Sequence, residues 1–205
     1  MRKLTLQRIL QSASKPNYLP LLLATFVCAN SLSGCVPVMV AGAVGSTALM
    51  ATDRRSAGAQ LDDTTIEFKV AELIRSQYGE RAHINVTSYN GIVLLTGEVA
   101  DQAMLASIHN FAKGTEKVRS VQNDAVVGPN STLETRTNDT FITSKVKTRL
   151  LEGSQVPGTL VKVVTEQGVV YLMGIVSKPE GDAAAQIAST TTDVKRVVKV
   201  FEYRG

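Results

Sequence analysis

Tryptophan is absent, and only two cysteines and two histidines occur among the 205 residues. Cys28 lies in an apolar run from Leu19 to Ala29 that comes after the basic residues Arg2, Lys3, Arg8 and Lys15. A positive start, a short apolar core and then small residues make up a cleavable export signal. The run is too short for a bilayer span, which takes roughly 20 apolar residues, and Pro20 interrupts it. With residues 1–34 removed, Cys35 has no second thiol to pair with, which excludes a disulfide or a thiolate metal site. His83 and His109 are the only histidines; one opens an expected strand, the other sits on an expected helix beside core positions. Each reads as structural or solvent-facing. There is no HExxH helix, Walker loop, G-x-S-x-G elbow or carboxylate cluster at ligand spacing. Without a nucleophile or an acid–base pair, the chain is expected not to be an enzyme and to hold no metal and no free cofactor.

Acidic residues are also missing from the first 34 positions, and this changes the meaning of the pI of about 9.1. Removing four of the 22 basic residues leaves 18, equal to the 18 acidic ones. The basicity belongs to the targeting segment, so no nucleic-acid partner is expected.

Just past the apolar run stands Leu32-Ser33-Gly34-Cys35, which resembles the bacterial lipobox. The resemblance implies cleavage before Cys35, with diacylglycerol on its thiol and an acyl chain on its amine. Val36 stands where aspartate would retain a lipoprotein at the inner membrane. The implied location is therefore the outer membrane, lipid-anchored and facing the periplasm. From Val36 to Ala51 the chain is apolar, uncharged and interrupted by Pro37, Gly42 and Gly45, and reads as a segment near the membrane surface rather than a span.

Beyond Asp62 the chain repeats itself. Asp63-Thr64-Thr65-Ile66 with Lys69-Val70 matches Asp139-Thr140-Phe141-Ile142 with Lys145-Val146 at a displacement of 76. The stretch from Asn90 to Gly97 matches that from Gln167 to Gly174 at a displacement of 77. Each copy reads as α-β-β-α-β. Asp63 or Asp139 is the expected N-cap of an amphipathic helix. Its buried face is expected to be Ile66, Val70 and Leu73, or Ile142, Val146 and Leu150. A hairpin with Asn90-Gly91 or Gln167-Gly168 at its turn comes next. A second helix, Gln102 to Lys113 or about Asp182 to Thr191, leads to a last strand, Val118 to Val127 or Val194 to Tyr203. The fold class is α+β, with two helices over a small three-stranded sheet in each copy. Gly91 and Gly168 suit positive φ in the turns, and Gly97 and Gly174 a bulge or close backbone approach. The expected division is signal peptide 1–34, lipidated N-terminus and linker 35–61, first domain 62–127, linker 128–137 and second domain 138–205.

This order, the strand-turn-Gly-strand-Gly core and the closing Val-x-x-Val strand resemble the BON domain. A tandem pair behind a lipobox is similar to the dual-BON outer-membrane lipoproteins. That resemblance implies an envelope protein that binds anionic phospholipid and supports outer-membrane integrity, with action at the division site. Where the lipoprotein it resembles carries tryptophan in the second domain's first helix, this chain has Phe141, an aromatic less suited to the interface. The alternative is a protein-interaction module that docks an outer-membrane assembly factor or a cell-wall enzyme.

The charge split favours the second domain for lipid contact. Residues 62–127 carry six basic and nine acidic side chains, residues 138–205 nine and seven. At about 100° per residue, Phe141 and Leu151 fall about 140° from the centre of the Ile142–Val146–Leu150 face. Phe141, Lys145, Thr148, Arg149 and Leu151 are the candidate phospholipid-binding residues. Each cation near an anionic surface contributes roughly 1 kcal/mol, and a fully buried Phe roughly 1.5–3 kcal/mol, enough for weak docking. The first copy has an outward aromatic too, Phe68, but beside Glu72.

Overall fold

The computed structural model describes residues 53–153 and 157–204. The signal segment, the lipidation site Cys35 and the apolar stretch after it lie outside the described residues. Domain 1 comprises α1 (Ala57–Tyr78), β1 (Ala82–Tyr89), β2 (Ile92–Val99), α2 (Gln102–Gly114) and the short strands β3 (Ser120–Asn123) and β4 (Val126–Val127). Domain 2 comprises α3 (Leu133–Glu152), β5 (Lys162–Glu166), β6 (Val169–Val176), α4 (Lys178–Ser189) and β7 (Arg196–Tyr203). In each, the hairpin strands are antiparallel and the last strand runs parallel to the central one, β2 or β6. The α+β class and the element order are those the sequence predicts.

The boundaries differ in instructive ways. Ser56 and Thr132 cap the first helices, not Asp63 and Asp139, so each helix begins seven residues earlier than expected. The segment 128–137 is therefore only partly a linker, since α3 starts at Leu133. A capping box between Ser177 and Glu180 starts α4 at Lys178 rather than near Asp182. Residues Gly158–Leu160 form a 3₁₀ turn, which delays β5 to Lys162. In domain 1 the last strand is broken, because the Asn123 side chain accepts from Ala125 N at 3.2 Å and turns the chain there.

The core of each domain lies between its helices and one face of its sheet. Ile66, Val70 and Ile74 pack on Val93, Leu95, Val99, Met104 and Ile108, and the i, i+4, i+8 ridge continues to Ile74 at 4 % exposure. Leu73, expected in this face, is 42 % exposed. In domain 2, Ile142, Val146 and Leu150 are fully buried against Val163, Val170 and Leu172.

Asp63 and Asp139 have another task. The turns put Asn90 and Gly91, and Gln167 and Gly168, at φ between 50° and 80°. Their N–H groups point at the first helix of the domain, and one carboxylate accepts both. Asp139 takes Gln167 N and Gly168 N at 2.8 Å each. Asp63 takes Asn90 N at 2.7 Å, Gly91 N at 2.8 Å and the Ser88 hydroxyl at 2.6 Å. Burial alone would raise the Asp63 pKa, but these donors and the Arg55 guanidinium hold it below the ordinary carboxyl value. A few residues on, Gly97 and Gly174 are close approaches. A Cβ on Gly97 would overlap the His83 carbonyl oxygen, and one on Gly174 would lie 2.5 Å from that of Leu160.

The second faces of the two sheets cover each other. Tyr89 and Leu94 from domain 1 join Tyr171 and Met173 from domain 2 in a shared apolar cluster. The layers run helices, sheet, sheet, helices, which explains why β2 and β6 are apolar on both faces. Two buried carboxylates bridge the halves. Glu98 accepts from Ser131 N at 3.0 Å and from the Gln167 side chain. Glu166 accepts from Asn85 Nδ2 at 2.8 Å and from the Thr96 hydroxyl at 3.1 Å. Ahead of α1, Arg54 donates to Glu180 and to Ile175 O at 2.8 Å, holding the Glu180 carboxyl down at about 2. The next residue, Arg55, donates to Asp63 at 2.8 Å and lies 4.0 Å over the Tyr89 ring.

Two outcomes are expected for stability. Asp139→Ala leaves two turn N–H groups without their charged acceptor and should cost about 3 kcal/mol in urea unfolding at pH 7, with Asp139→Asn costing less. Burial, reinforced by the Glu98 and Asp139 carboxylates, raises the Glu166 pKa despite its two hydrogen-bond donors. The folded protein therefore favours the protonated form, and this contribution is lost as pH rises from the ordinary carboxyl range through the raised pKa. Glu166→Gln should raise the urea midpoint at pH 7 and flatten its rise on acidification.

Candidate functional site

The outward face of α3 is a continuous stripe. Leu133 and Leu151 are 18 residues apart, about five full turns, so they share one angular position. At about 100° per residue, Thr137, Phe141, Ser144 and Thr148 all fall within about 80° of that position, opposite Ile142, Val146 and Leu150. Leu133 is 77 % exposed, Phe141 61 % and Leu151 63 %, and the three hydroxyl residues are exposed as well. The stripe mixes apolar and hydroxyl side chains over about 27 Å. Leu133 and Thr137 join it because Thr132 caps the helix early, accepting from Thr135 N at 3.2 Å. Thr132 directly ahead of Leu133, with Glu134 in the first turn, is the sequence signal for that extension.

Of the five residues singled out from sequence, the structure brings four together. Phe141, Lys145, Thr148 and Arg149 line a groove of about 550 Å³ between α3 and the end of α4, and Thr190 to Thr192 form its other bank. Leu151 lies on the stripe but does not line the groove. The threonines escape a reading of α3 alone, since they come from the far end of the domain.

The cations are less available than their number suggests. Lys145 pairs with Asp193 at 2.7 Å, both about half exposed. Arg149 donates to Ile187 O at 3.0 Å, Thr191 Oγ1 at 2.7 Å and Thr190 Oγ1 at 3.1 Å. Its charge sits at the C-terminal end of α4, where the last carbonyls favour a cation. Arg149 therefore holds α3 to α4 and builds the groove wall. Lys147 and Arg136 lie on the opposite flank of the helix.

The same groove recurs in domain 1 with different chemistry. Phe68, Leu73, Phe111 and Glu116 stand at the positions that Ser144, Arg149, Ile187 and Thr192 occupy in domain 2. That groove, about 590 Å³, is mostly apolar, with Phe68 71 % exposed. His83 and His109 are both half-buried, on β1 and α2. Among the described residues no three His, Cys, Asp or Glu side chains group as a metal site.

Comparison with known proteins agrees with the duplicated architecture. The BON domain family model matches residues 62–129 and again 138–205. The outer membrane lipoprotein DolP of Haemophilus influenzae is 38 % identical over 174 residues, covering 84 % of this chain and 90 % of that protein. The 21 kDa hemolysin of Actinobacillus pleuropneumoniae is 40 % identical over 153 residues, covering 74 % and 79 %. The osmotically-inducible protein Y of Escherichia coli is 36 % identical over 141 residues, covering 67 % and 70 %. None of these names is that of an enzyme. With two matched domains and an extended likeness to DolP, the chain belongs to the BON-domain family as a tandem, DolP-like member.

Proposed function

We propose that this protein is an outer-membrane lipoprotein, anchored through acylated Cys35 and facing the periplasm. Its second domain contacts anionic phospholipid through the outward face of α3, and the contact supports outer-membrane integrity, including at the division site. The observation that carries this reading is the stripe of Leu133, Phe141 and Leu151, exposed along one side of a single helix. An apolar face interleaved with hydroxyls and flanked by cations is the composition of an interfacial helix. The charge split between the domains supports the same side, since residues 138–205 are net basic and residues 62–127 net acidic. The name of the Haemophilus influenzae relative supports the outer-membrane assignment. With Lys145 paired and Arg149 engaged, the apolar residues supply more of the docking energy than the cations do.

The second reading, a protein-docking module for an envelope assembly factor or cell-wall enzyme, draws on the domain 1 groove with its exposed Phe68. The two separate experimentally. In the non-acylated mature chain, Phe141→Glu should weaken binding to vesicles of anionic phospholipid by about tenfold or more, from the roughly 1.5–3 kcal/mol of a buried Phe. Unchanged binding, or a loss produced by Phe68→Glu instead, would contradict the assignment to α3.

A further inference from the structure

The other flank of α3 faces a second cavity, about 550 Å³, at the junction of the two domains. Its walls are α3, the start of β1 with His83 and Asn85, and the end of β5 with Thr165 and Glu166. Arg136 and Lys147 share one edge of the helix, 11 residues apart and about 16 Å along its axis. Helical side chains lean toward the N-terminus, so Lys147 reaches back over Thr143 and Ser144 into the middle of the cleft.

Hydrogen-bonding capacity in this cleft is lopsided. Of its carboxylate acceptors, both Asp139 oxygens are taken by the turn N–H groups and Glu166 Oε2 by Asn85 and Thr96, which leaves Glu166 Oε1 without a hydrogen bond among the described residues. Its donors are freer. Lys147 makes no hydrogen bond or ion pair among the described residues. Thr143 donates to Thr165 Oγ1 at 2.7 Å, which leaves the Thr165 hydroxyl proton to spend elsewhere. Arg136 uses Nη2 on Ser131 O, at 2.9 Å. His83, which lines the cleft, has a buried Nε2 with no hydrogen-bond partner among the described residues. Buried polar atoms are nearly always satisfied, so an orphan on a residue that lines the cleft points to a missing polar occupant.

We propose that the interdomain cleft binds a phosphate ester, with Lys147 and the Thr165 hydroxyl donating to its oxygens and Arg136 adding charge at the far end. A charged oxyanion that accepts from cationic and hydroxyl donors is the ligand class such surplus donors suit. The phosphate can come from a soluble ester or from a lipid headgroup at the edge of the α3 stripe. The cleft site does not rest on membrane docking by Phe141, and different variants report on the two.

The test uses the full acylated chain in non-ionic, phosphate-free micelles, followed by methyl and imidazole NMR. The probes are glycerophosphoglycerol and, separately, anionic phospholipid doped into the micelles. Saturable shifts at Thr143, Thr165 and His83, weakened about tenfold by Lys147→Gln, are expected. Shifts with the soluble probe assign a free ester, and shifts with doped micelles alone assign a headgroup. No saturable shift at these residues with either probe would overturn the proposal. So would shifts that survive Lys147→Gln yet vanish with Phe141→Glu, since they would report the stripe and not the cleft. Lys147 is exposed, so its replacement leaves the folded core intact.

Discussion

The contact between the two sheets is the constraint on which the rest of the molecule depends. A sheet covered by helices on one face still carries a second face, and in β2 and β6 that face is apolar. Tyr89, Leu94, Tyr171 and Met173 satisfy both sheets at once by packing across the junction. All four helices are thereby forced outward. The outer face of α3 then has nothing from its own chain to cover it among the described residues, and Leu133, Phe141 and Leu151 remain in solvent. The cleft beside Lys147 is a product of the same contact, because its walls come from both domains.

Duplication kept the frame and changed the surfaces. Each copy retains a helix carboxylate that clamps its hairpin turn, a glycine pressed against the neighbouring backbone, and a buried ridge of three aliphatic residues. The groove between the two helices diverged. In domain 1 it presents Phe68, Leu73 and Phe111 with Lys69 and two glutamates at its edge, in domain 2 Phe141 and hydroxyls with a lysine and an arginine. On the proposed reading, acyl chains at Cys35, at roughly 0.8 kcal/mol per buried CH₂, would supply attachment. The proposed contact through α3 would then determine where on the membrane the body rests and which headgroups it meets.

Much of the fold is legible in the sequence for a simple reason: the repeat doubles each periodic signal. The Ile142, Val146 and Leu150 face and the Asn-Gly turn come from local spacing alone. Asp63 and Asp139 read as helix caps because an acidic residue ahead of an apolar pattern has that local form. The turn N–H groups they accept from lie 27 to 29 residues away, and no local rule reaches that far. The first turns of α3 escape such a reading because residues 133–138 make no core contact and so show no periodicity. Arg149 and Lys145 can be placed on a face, but their partners Thr190, Thr191 and Asp193 come from the end of α4 and the turn after it. The pairing of the two sheets is equally hidden, since a strand that is apolar on both faces does not say what covers it.

The central claim is that a pair of back-to-back domains meets the membrane through one helix. A spin-labelled lipid in nanodiscs containing anionic phospholipid, bearing the acylated chain, tests this most directly. The account predicts paramagnetic broadening along the α3 stripe, at Leu133, Phe141, Thr148 and Leu151, and sharp signals at Phe68 and Leu73 of α1. Broadening centred on α1, or spread equally over both helices, would contradict it.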